Sequence, residues 1–389
     1  MIKRFFALLG RASLAISGKT THSFTNPLAS PFVGEEPWEV ILSRNKGIAR
    51  SPLSEIKSSN SIDEKIIIEI FNFFEKIPPF YDSETPKQLQ IGGAWKSLLQ
   101  EQRINQLNAI TEKDIDAYKS LLESQFDNEL MYGLWNHGPR PESGWLHPEF
   151  LIELDAFERV SDRAKEELVV NDKISNWGLE TSKGIVRYTD PQHGIQANWI
   201  LKLLELKQSK NATTILDIGS GFGGMAEKLA SWSTKPLQII CVDIPLNLVI
   251  AYAHLARVFG KENTTLIQDK NLIKSTLSAP INSTRFILVP SIYVDEIGKV
   301  NTHTILHNGK SFSEMEADQV AYYIEHLLTS EVDSFVETNS NRMESVNYGH
   351  HQEVISSDFP IPPTHKLAFR VPTARPSRYV TSVYFKKET

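Results

Sequence analysis

The sequence predicts an α/β protein in which a mostly helical segment precedes a domain built on a mostly parallel β-sheet. Two observations support this prediction. Between residues 191 and 389, apolar runs of strand length alternate with segments of helical composition. The first run, Thr214–Ile218, leads directly into the glycine-rich turn Gly219–Gly224 and then into a helix-forming segment. Strand, tight turn and helix in this order are the opening unit of a parallel sheet.

Upstream of that domain the chain divides into two predicted parts. Residues 1–60 are predicted to be a partly irregular tail and linker, and residues 61–190 a mostly helical domain. Helical periodicity begins near residue 61 and returns over 98–104, 112–126 and 148–169. This domain order places the helices before the sheet.

The first 34 residues contain no acidic side chain, whereas Lys3, Arg4, Arg11 and Lys19 are basic. Their apolar run is too short for a transmembrane helix and lacks the shape of a signal peptide. Three interpretations stay open: a frayed terminus, a basic amphipathic helix that places residues 1–20 on an anionic membrane surface, or an organelle transit peptide.

The glycine-rich turn suits the close approach of a ligand. Glycines at 219, 221 and 223 allow positive φ angles and leave no Cβ between the backbone and a bound molecule. The turn also lies at the amino end of a helix, where backbone N–H groups point outward. Because Gly219–Gly224 equally satisfies the G-x-G-x-x-G dinucleotide fingerprint, the turn alone does not identify the ligand.

Two acidic residues narrow the choice of cofactor. Asp217 lies two residues before the first glycine, where it would repel a pyrophosphate but attract a cationic sulfonium compound with a free amino group. Asp243 ends the apolar run 237–242 and follows Gly219 by 24 residues. A carboxylate at that distance is expected to bind the two ribose hydroxyls of a nucleoside. Asp217 therefore favours S-adenosylmethionine, whereas both cofactor classes use an acid at the position of Asp243, which supports the domain more than the ligand.

The segment Ile215–Gly223 resembles motif I of the class I S-adenosylmethionine-dependent methyltransferases. The segments Val242–Tyr252 and Ser311–Met315 resemble a narrower group, the sugar O-methyltransferases of bacterial glycan pathways. This resemblance implies a Rossmann-like domain with a seven-stranded, mostly parallel sheet and a closing antiparallel hairpin. It also implies S-adenosylmethionine as cofactor and methyl transfer to a hydroxyl of a sugar or sugar-like acceptor.

The strands expected on this basis follow one another along the chain. Residues 237–243, 264–268, 285–290 and 332–338 are predicted as strands two to five, and 366–371 with 379–385 as the hairpin. Residues 291–310 are predicted to be a long polar loop between the fourth strand and the next helix.

The candidate cofactor-binding residues lie at the carboxyl ends of the first three predicted strands. They are Asp217, Gly219, Ser220, Gly221, Gly223, Asp243, Ile244 and Asp269. Asp269 is included because related methyltransferases contact adenine with a residue at the end of the third strand; Gln268 is the alternative at that position.

Methyl transfer to a sugar hydroxyl benefits from a positioned base, since such hydroxyls are weak acids. The predicted catalytic residues are Glu314, taken from the sugar-methyltransferase motif, with His350 and Glu337. For Glu314 the alternative is a charge that complements the amino end of the helix, and for His350 it is a solvated loop histidine. Further candidates in the same loops are Asp295, Glu296, His303, His307, Asn339 and His351.

No metal site is predicted. His303 and His307 have the spacing of a metal-binding pair only within a helix, and their context disfavours a helix. Five tryptophans fall between residues 95 and 199, where they form either a wall for a pyranose ring or ordinary core packing.

Composition limits the partners and the compartment. The formal charge of −6 gives no general attraction to nucleic acid, so a small-molecule or glycan acceptor is expected. The one cysteine excludes a disulfide framework within the chain and fits a reducing cytoplasm, with the inner membrane surface as a second location. Homo-oligomerisation stays open.

Two rival functions remain at this point. One is a NAD(P)-dependent oxidoreductase that uses the same glycine turn. The other is a catalytically inactive subunit with the methyltransferase fold that acts as an assembly partner.

Overall fold

The computed structural model describes residues 54–56, 61–81, 85–131, 148–161, 163–169, 176–206, 213–300, 304–340, 354–373 and 379–388. The predicted fold class is confirmed: a helical region precedes an α/β domain with one large, mainly parallel sheet.

Among the described residues, the first part of the chain contains five helices: α1 Glu64–Phe74, α2 Gly93–Gln102, α3 Ile104–Glu112, α4 Ile115–Glu123 and α5 Pro148–Val160. The predicted helix over 112–126 is instead divided. Lys113 adopts a left-handed conformation with φ of 53° and ends α3. Asp114 then caps α4 by accepting a hydrogen bond from the backbone N–H of Ala117.

A small antiparallel sheet that the sequence did not predict combines one strand that precedes these helices with two that follow them. Its strands are β1 Ser54–Ile56, β2 Asn176–Thr181 and β3 Gly184–Arg187, in the order β1-β2-β3. It leads directly into helix α6 Asp190–Leu206, which begins before the predicted domain boundary.

The large sheet has eight strands in the order β10-β11-β9-β8-β4-β5-β7-β6. The pairs among β4 to β9 are parallel, and β11 pairs antiparallel with both β9 and β10. The strands are β4 Thr213–Ile218, β5 Leu237–Asp243, β6 Thr264–Leu266, β7 Arg285–Pro290, β8 Ile305–Gly309, β9 Ser334–Ser340, β10 His365–Pro372 and β11 Tyr379–Lys386.

Helices connect the parallel strands: α7 Gly224–Trp232, α8 Pro245–Phe259, α9 Ile273–Leu277, α10 Val294–Val300 and α11 Ala317–Leu327. Every residue of β4 and β5 is buried, because helices cover both faces of this part of the sheet.

Strand β8 corrects the predicted topology. Residues 305–309 belong to the segment 291–310, which was predicted to be a long polar loop. In the structure they pair in parallel with β4, while β7 pairs with β5. The strand beside the glycine turn is therefore β8 and not the predicted 285–290, and the sheet has eight strands instead of seven.

The hydrophobic core crosses the predicted boundary at residue 190. One continuous cluster joins Ile67 and Phe73 of α1 to Leu248 and Tyr252 of α8 and to Ile239 of β5. A second cluster fills the opposite face of the large sheet under α10 and α11. Within the described residues, no helix is both long and apolar enough to cross a membrane.

Candidate functional site

A cleft opens at the carboxyl ends of β4, β5 and β8, where an α/β sheet of this kind binds its ligands. It encloses about 1130 Å³, including its open mouth. Three regions form its walls: the glycine turn with the start of α8, the segment that follows β8, and residues 89–95 of the helical region.

The glycine turn forms the floor of the cleft. Gly219, Gly221 and Gly223 have φ angles of 70°, 58° and 85°, a region that other residues rarely occupy. A Cβ on Gly219 would lie 2.1 Å from the Oγ of Ser311, so the segment after β8 packs directly on the bare backbone. Gly219, Ser220 and Gly221 line the cleft. Gly223 is the N-cap residue of α7 and is not among the lining residues.

Asp243 faces the turn from the end of β5. Its Oδ2 accepts a hydrogen bond of 2.7 Å from the backbone N–H of Gly221. Its Oδ1 accepts bonds from the backbone N–H of Ile244 at 2.7 Å and from the Nδ2 of Asn247 at 3.0 Å. Burial raises the pKa of Asp243 to about 6, although these three donors and the charge of Arg103 act in the opposite direction. At neutral pH the carboxylate is therefore mainly ionised.

Asp217 is buried and is not among the residues that line the cleft. Its Oδ1 lies 2.7 Å from the Nδ1 of His307, which stands opposite it on β8. The Nε2 of His307 is buried and has no hydrogen-bond partner among the described residues. The structure thus places the first predicted acid beneath the floor, next to a histidine that the sequence assigned to a loop.

The segment after β8 contributes the second wall. The side chain of Asn308 fixes the beginning of this segment. Its Nδ2 donates to the backbone carbonyl of Ile218 at 3.0 Å, and its Oδ1 accepts from the backbone N–H of Phe312 at 3.1 Å. Lys310 has a φ of 76°, and its Nζ donates to the Oε1 of Gln192 at 2.5 Å. Lys310, Ser311 and Glu314 line the cleft, and of these three Glu314 is exposed.

The beginning of α6 closes the cleft next to the glycine turn. Thr189, Gln192 and His193 line it there. A Cβ on Gly224, the first residue of α7, would lie 2.3 Å from the Nδ1 of His193. Burial lowers the pKa of His193 to about 3, so the imidazole is neutral at physiological pH. The ring therefore fills the space at the amino end of α7 without adding a charge.

The helical region supplies the third wall and a buried polar contact. Leu89, Gln90, Ile91, Gly92 and Trp95 line the cleft. Tyr81 is buried, and its hydroxyl lies 3.0 Å from the Oγ of Ser291 at the end of β7. Trp95 is the one described member of the predicted tryptophan wall that reaches the cleft, since Trp177 and Trp199 are buried in the core.

Two of the predicted site residues lie away from the cleft, and a third is outside the described residues. Asp269 follows the edge strand β6 and accepts a bond from the backbone N–H of Asn271, two strands away from Asp243. Glu337 is fully buried in β9, where Asn339 donates to its Oε2 at 3.0 Å and Ser356 to its Oε1 at 2.5 Å. Burial raises the pKa of this carboxyl. His350 is outside the described residues.

The altered strand order explains the position of Asp269. Because β7 occupies the place beside β5, the cleft receives Ser291 from the end of β7 and not a residue from the end of β6. Of the remaining predicted residues, Asp243, Ile244 and Glu314 do line the cleft.

Sequence reasoning missed several residues of the cleft. Asn247 could have been found, since it follows Asp243 by one helical turn in the first turn of α8. Nothing in the sequence around His193 indicates its position, and the same holds for Tyr81 and Arg103, which do not line the cleft but contact Ser291 and Asn247 in its wall. Among the described residues, no group of three or more His, Cys, Asp or Glu side chains is arranged to hold a metal ion.

The sequence matches no protein-family model and no curated protein. Solved structures that it resembles include magnesium protoporphyrin IX methyltransferase from Synechocystis with bound S-adenosylmethionine, at 11% identity over 52% of this chain and 86% of that chain, with a TM-score of 0.33. A S-adenosylmethionine-dependent methyltransferase from Clostridium acetobutylicum matches at 8% identity over 50% and 91% of the two chains, with a TM-score of 0.32.

Geranyl diphosphate C-methyltransferase from Streptomyces coelicolor matches at 8% identity over 49% of this chain and 76% of that chain, with a TM-score of 0.32. The function proposed below rests on the residues of the cleft and not on these likenesses.

Proposed function

We propose that this protein is a S-adenosylmethionine-dependent O-methyltransferase that acts on a hydroxyl of a sugar or sugar-like acceptor. The observation that supports this best is the position of Asp243, which faces the bare glycine turn inside the cleft and retains capacity to bind a ligand hydroxyl.

The capacity of Asp243 follows from counting its acceptor positions. An ionised carboxylate has about four lone-pair sites, and three of them receive donors from Gly221, Ile244 and Asn247. Two of these donors bind Oδ1 and one binds Oδ2. Oδ2 therefore retains a position for a hydroxyl donor such as that of a ribose.

The amino end of α7 argues against a dinucleotide. A dinucleotide cofactor places its pyrophosphate at this helix end, where backbone N–H groups and the helix dipole favour negative charge. Here the neutral ring of His193 packs against Gly224 at that position. This arrangement supports a cofactor without phosphate groups over NAD(P).

The charged side chains of the cleft suit a cation. Asp243 and Glu314 line it together with one cationic side chain, Lys310, among the described residues. The Nζ of Lys310 donates a hydrogen bond to Gln192 and lies 4.8 Å from the ring centre of Tyr379. A sulfonium ion near the glycine turn would therefore meet a slightly negative field.

The acceptor would enter from the mouth of the cleft, between Glu314 and Trp95. The acceptor oxygen must lie in line with the sulfur and the methyl group at about 3 Å from the methyl carbon. Glu314 would accept the hydroxyl proton there, and Trp95 offers a flat face for a pyranose ring.

Equilibrium binding tests the cofactor assignment. The purified chain is expected to bind S-adenosylhomocysteine in a calorimeter and to show no binding of NADH or NADPH. Asp243→Ala should weaken S-adenosylhomocysteine binding at least tenfold, because a charge-assisted hydrogen bond to the ligand is lost. Asp358→Asn, at an exposed position away from the cleft, is the matched control and should bind normally. Binding of NADH instead would support the oxidoreductase.

The acceptor is sought with S-adenosylmethionine that bears a labelled methyl group. The protein is incubated with a library of sugars, nucleotide sugars and small glycans, and labelled products are identified by mass spectrometry. Labelled product in the sugar fraction supports the proposal. Cofactor binding without transfer to any acceptor class would favour the inactive assembly partner.

A further inference from the structure

We propose that Arg103, from the helical region, is a positioning residue that fixes the cofactor-binding carboxylate of Asp243 through Asn247. The proposal rests on the proposed function for the identity of the ligand. Its structural basis is a hydrogen-bonded chain of three buried side chains that leads from the helical region into the cleft.

Arg103 lies between α2 and α3 and is fully buried. Its φ and ψ of −122° and 38° are not helical, so the chain turns at this residue and directs the side chain inward. Burial lowers the pKa of Arg103 to about 10, while the charge of Asp243 acts in the opposite direction. The guanidinium therefore stays charged at neutral pH.

The chain of bonds is directional. The Nη1 of Arg103 donates to the Oδ1 of Asn247 at 2.7 Å, and the Nδ2 of Asn247 donates to the Oδ1 of Asp243 at 3.0 Å. An asparagine amide can be rotated so that oxygen and nitrogen exchange places. Because a guanidinium only donates, Arg103 requires the oxygen of Asn247 on its side and thereby turns the NH₂ group toward Asp243.

A neighbouring contact holds the same turn of α8. The Nε2 of Gln106 in α3 donates to the backbone carbonyl of Leu246 at 3.2 Å. Arg103 and Gln106 thus bind consecutive residues in the first turn of α8, one to a side chain and one to the backbone. These two contacts from the helical region consequently fix the position of the first turn of α8, which follows Asp243.

Four titratable or charged groups act on Asp243 from the elements around it. Arg103 favours its ionised form. Tyr81, Tyr323 and Cys241, from the helical region, α11 and β5, would disfavour it only if they were ionised. Burial raises the pKa of all three of these groups, so they are neutral at pH 7 and Arg103 is the charge that matters.

The test measures S-adenosylhomocysteine affinity from pH 5 to pH 9 in the full-length chain. In the wild type, affinity should fall as pH falls through about 6, because a protonated carboxyl accepts hydrogen bonds poorly. Arg103→Met and Asn247→Ala should each weaken binding about tenfold at pH 7 and move this midpoint to higher pH. Arg103→Lys should recover part of the loss, since an ammonium also donates.

The double variant Arg103→Met with Asn247→Ala distinguishes positioning from a general effect. If Arg103 acts mainly through Asn247, Arg103→Met costs less affinity in the Asn247→Ala background than in the wild type. Additive losses, or an unchanged pH midpoint in Arg103→Met, would overturn the proposal. Where Arg103→Met does not fold by circular dichroism, the same cycle with Arg103→Lys decides.

Arg257→Met is the matched control. Arg257 also lies on α8 and also binds the helical region, because its Nη1 donates to the carbonyl of Leu122 at 3.0 Å. It has no contact with Asp243, so this variant should change affinity less than twofold and leave the pH midpoint in place. An equal effect of Arg257→Met would mean that any loosening of the helical region weakens binding, which contradicts the proposal.

A cofactor-independent measurement separates this proposal from the proposed function. Titration of the Asp243 carboxyl by carbon-13 NMR should show a higher pKa in Arg103→Met than in the wild type. If the wild type binds no S-adenosylhomocysteine, the proposed function fails, and the NMR midpoints still decide whether Arg103 acts on Asp243.

Discussion

At the scale of single residues, the same residue type has different roles according to its surroundings. Asp243 and Asp217 both end a buried strand, but Asp243 faces the cleft while Asp217 pairs with His307 beneath it. Glu314 and Glu337 were both predicted to act as bases. Glu314 is exposed at the cleft, whereas Glu337 is sealed in a network of Asn339 and Ser356.

These positions lead to a prediction for Glu314. Once an acceptor is known, Glu314→Gln should lower kcat by about 10²–10⁴-fold, because the amide cannot accept the hydroxyl proton. The KM for S-adenosylmethionine should change less than kcat, because the proposed contact of Glu314 is with the acceptor hydroxyl. Steady-state kinetics measure both values. Glu325→Gln, an exposed change on α11, is the control, and a kcat for Glu314→Gln close to that of the wild type would exclude the base role.

At the scale of secondary-structure elements, β8 and the segment after it determine the shape of the cleft. β8 pairs directly with β4, so the segment after it lies against the glycine turn. The contact is close enough that Ser311 would overlap any side chain at position 219. The glycine there is thus required by its backbone angle and by its neighbour on another element.

This contact leads to a prediction for Gly219→Ala. The free energy of unfolding should fall by about 2 kcal/mol or more, because alanine is strained at a φ of 70° and its Cβ overlaps Ser311. Chemical denaturation followed by circular dichroism measures the change. Ser311→Gly removes the overlap but not the backbone strain. Gly219→Ala should therefore lower the free energy of unfolding by less in the Ser311→Gly background than in the wild type. An equal loss in the wild-type and Ser311→Gly backgrounds would show that the overlap with Ser311 does not contribute to the cost.

At the scale of the whole molecule, the helical region and the sheet domain share a buried ionic network. Arg187 pairs with Asp190 at 2.9 Å and with Glu227, and Lys228 pairs with Asp190 at 3.0 Å. The Nε2 of His254 lies 3.0 Å from Glu227. All five side chains are buried, and the network spans the predicted boundary at residue 190.

We therefore expect residues 191–389 alone not to fold into a stable domain. Removing Arg187 and Asp190 leaves Glu227 and Lys228 buried without those partners, and breaking one buried pair typically costs about 3–5 kcal/mol. That is a large share of the roughly 5–15 kcal/mol by which domains are stable. Thermal unfolding of this fragment should show no cooperative transition, in contrast to the full chain. A cooperative transition together with full S-adenosylhomocysteine affinity would contradict this expectation.

The sequence by itself determined the fold class, the glycine turn and the position of Asp243. These features depend on local patterns: an apolar run, glycines where the backbone takes positive φ, and an acid at the end of the next strand. Such patterns act over neighbouring residues, so they can be read without knowledge of the partners. The closing hairpin of β10 and β11 was predictable for the same reason.

The tertiary structure alone decided which strand lies beside the glycine turn and which distant residues reach the cleft. β8 is a strand because β4 and β9 pair with its backbone, although its own side chains include His307 and Asn308. Arg103 is far from Asn247 in sequence and binds it only because α3 packs on the first turn of α8. Contacts of this kind depend on the packing of whole elements, and no local pattern of residues records them.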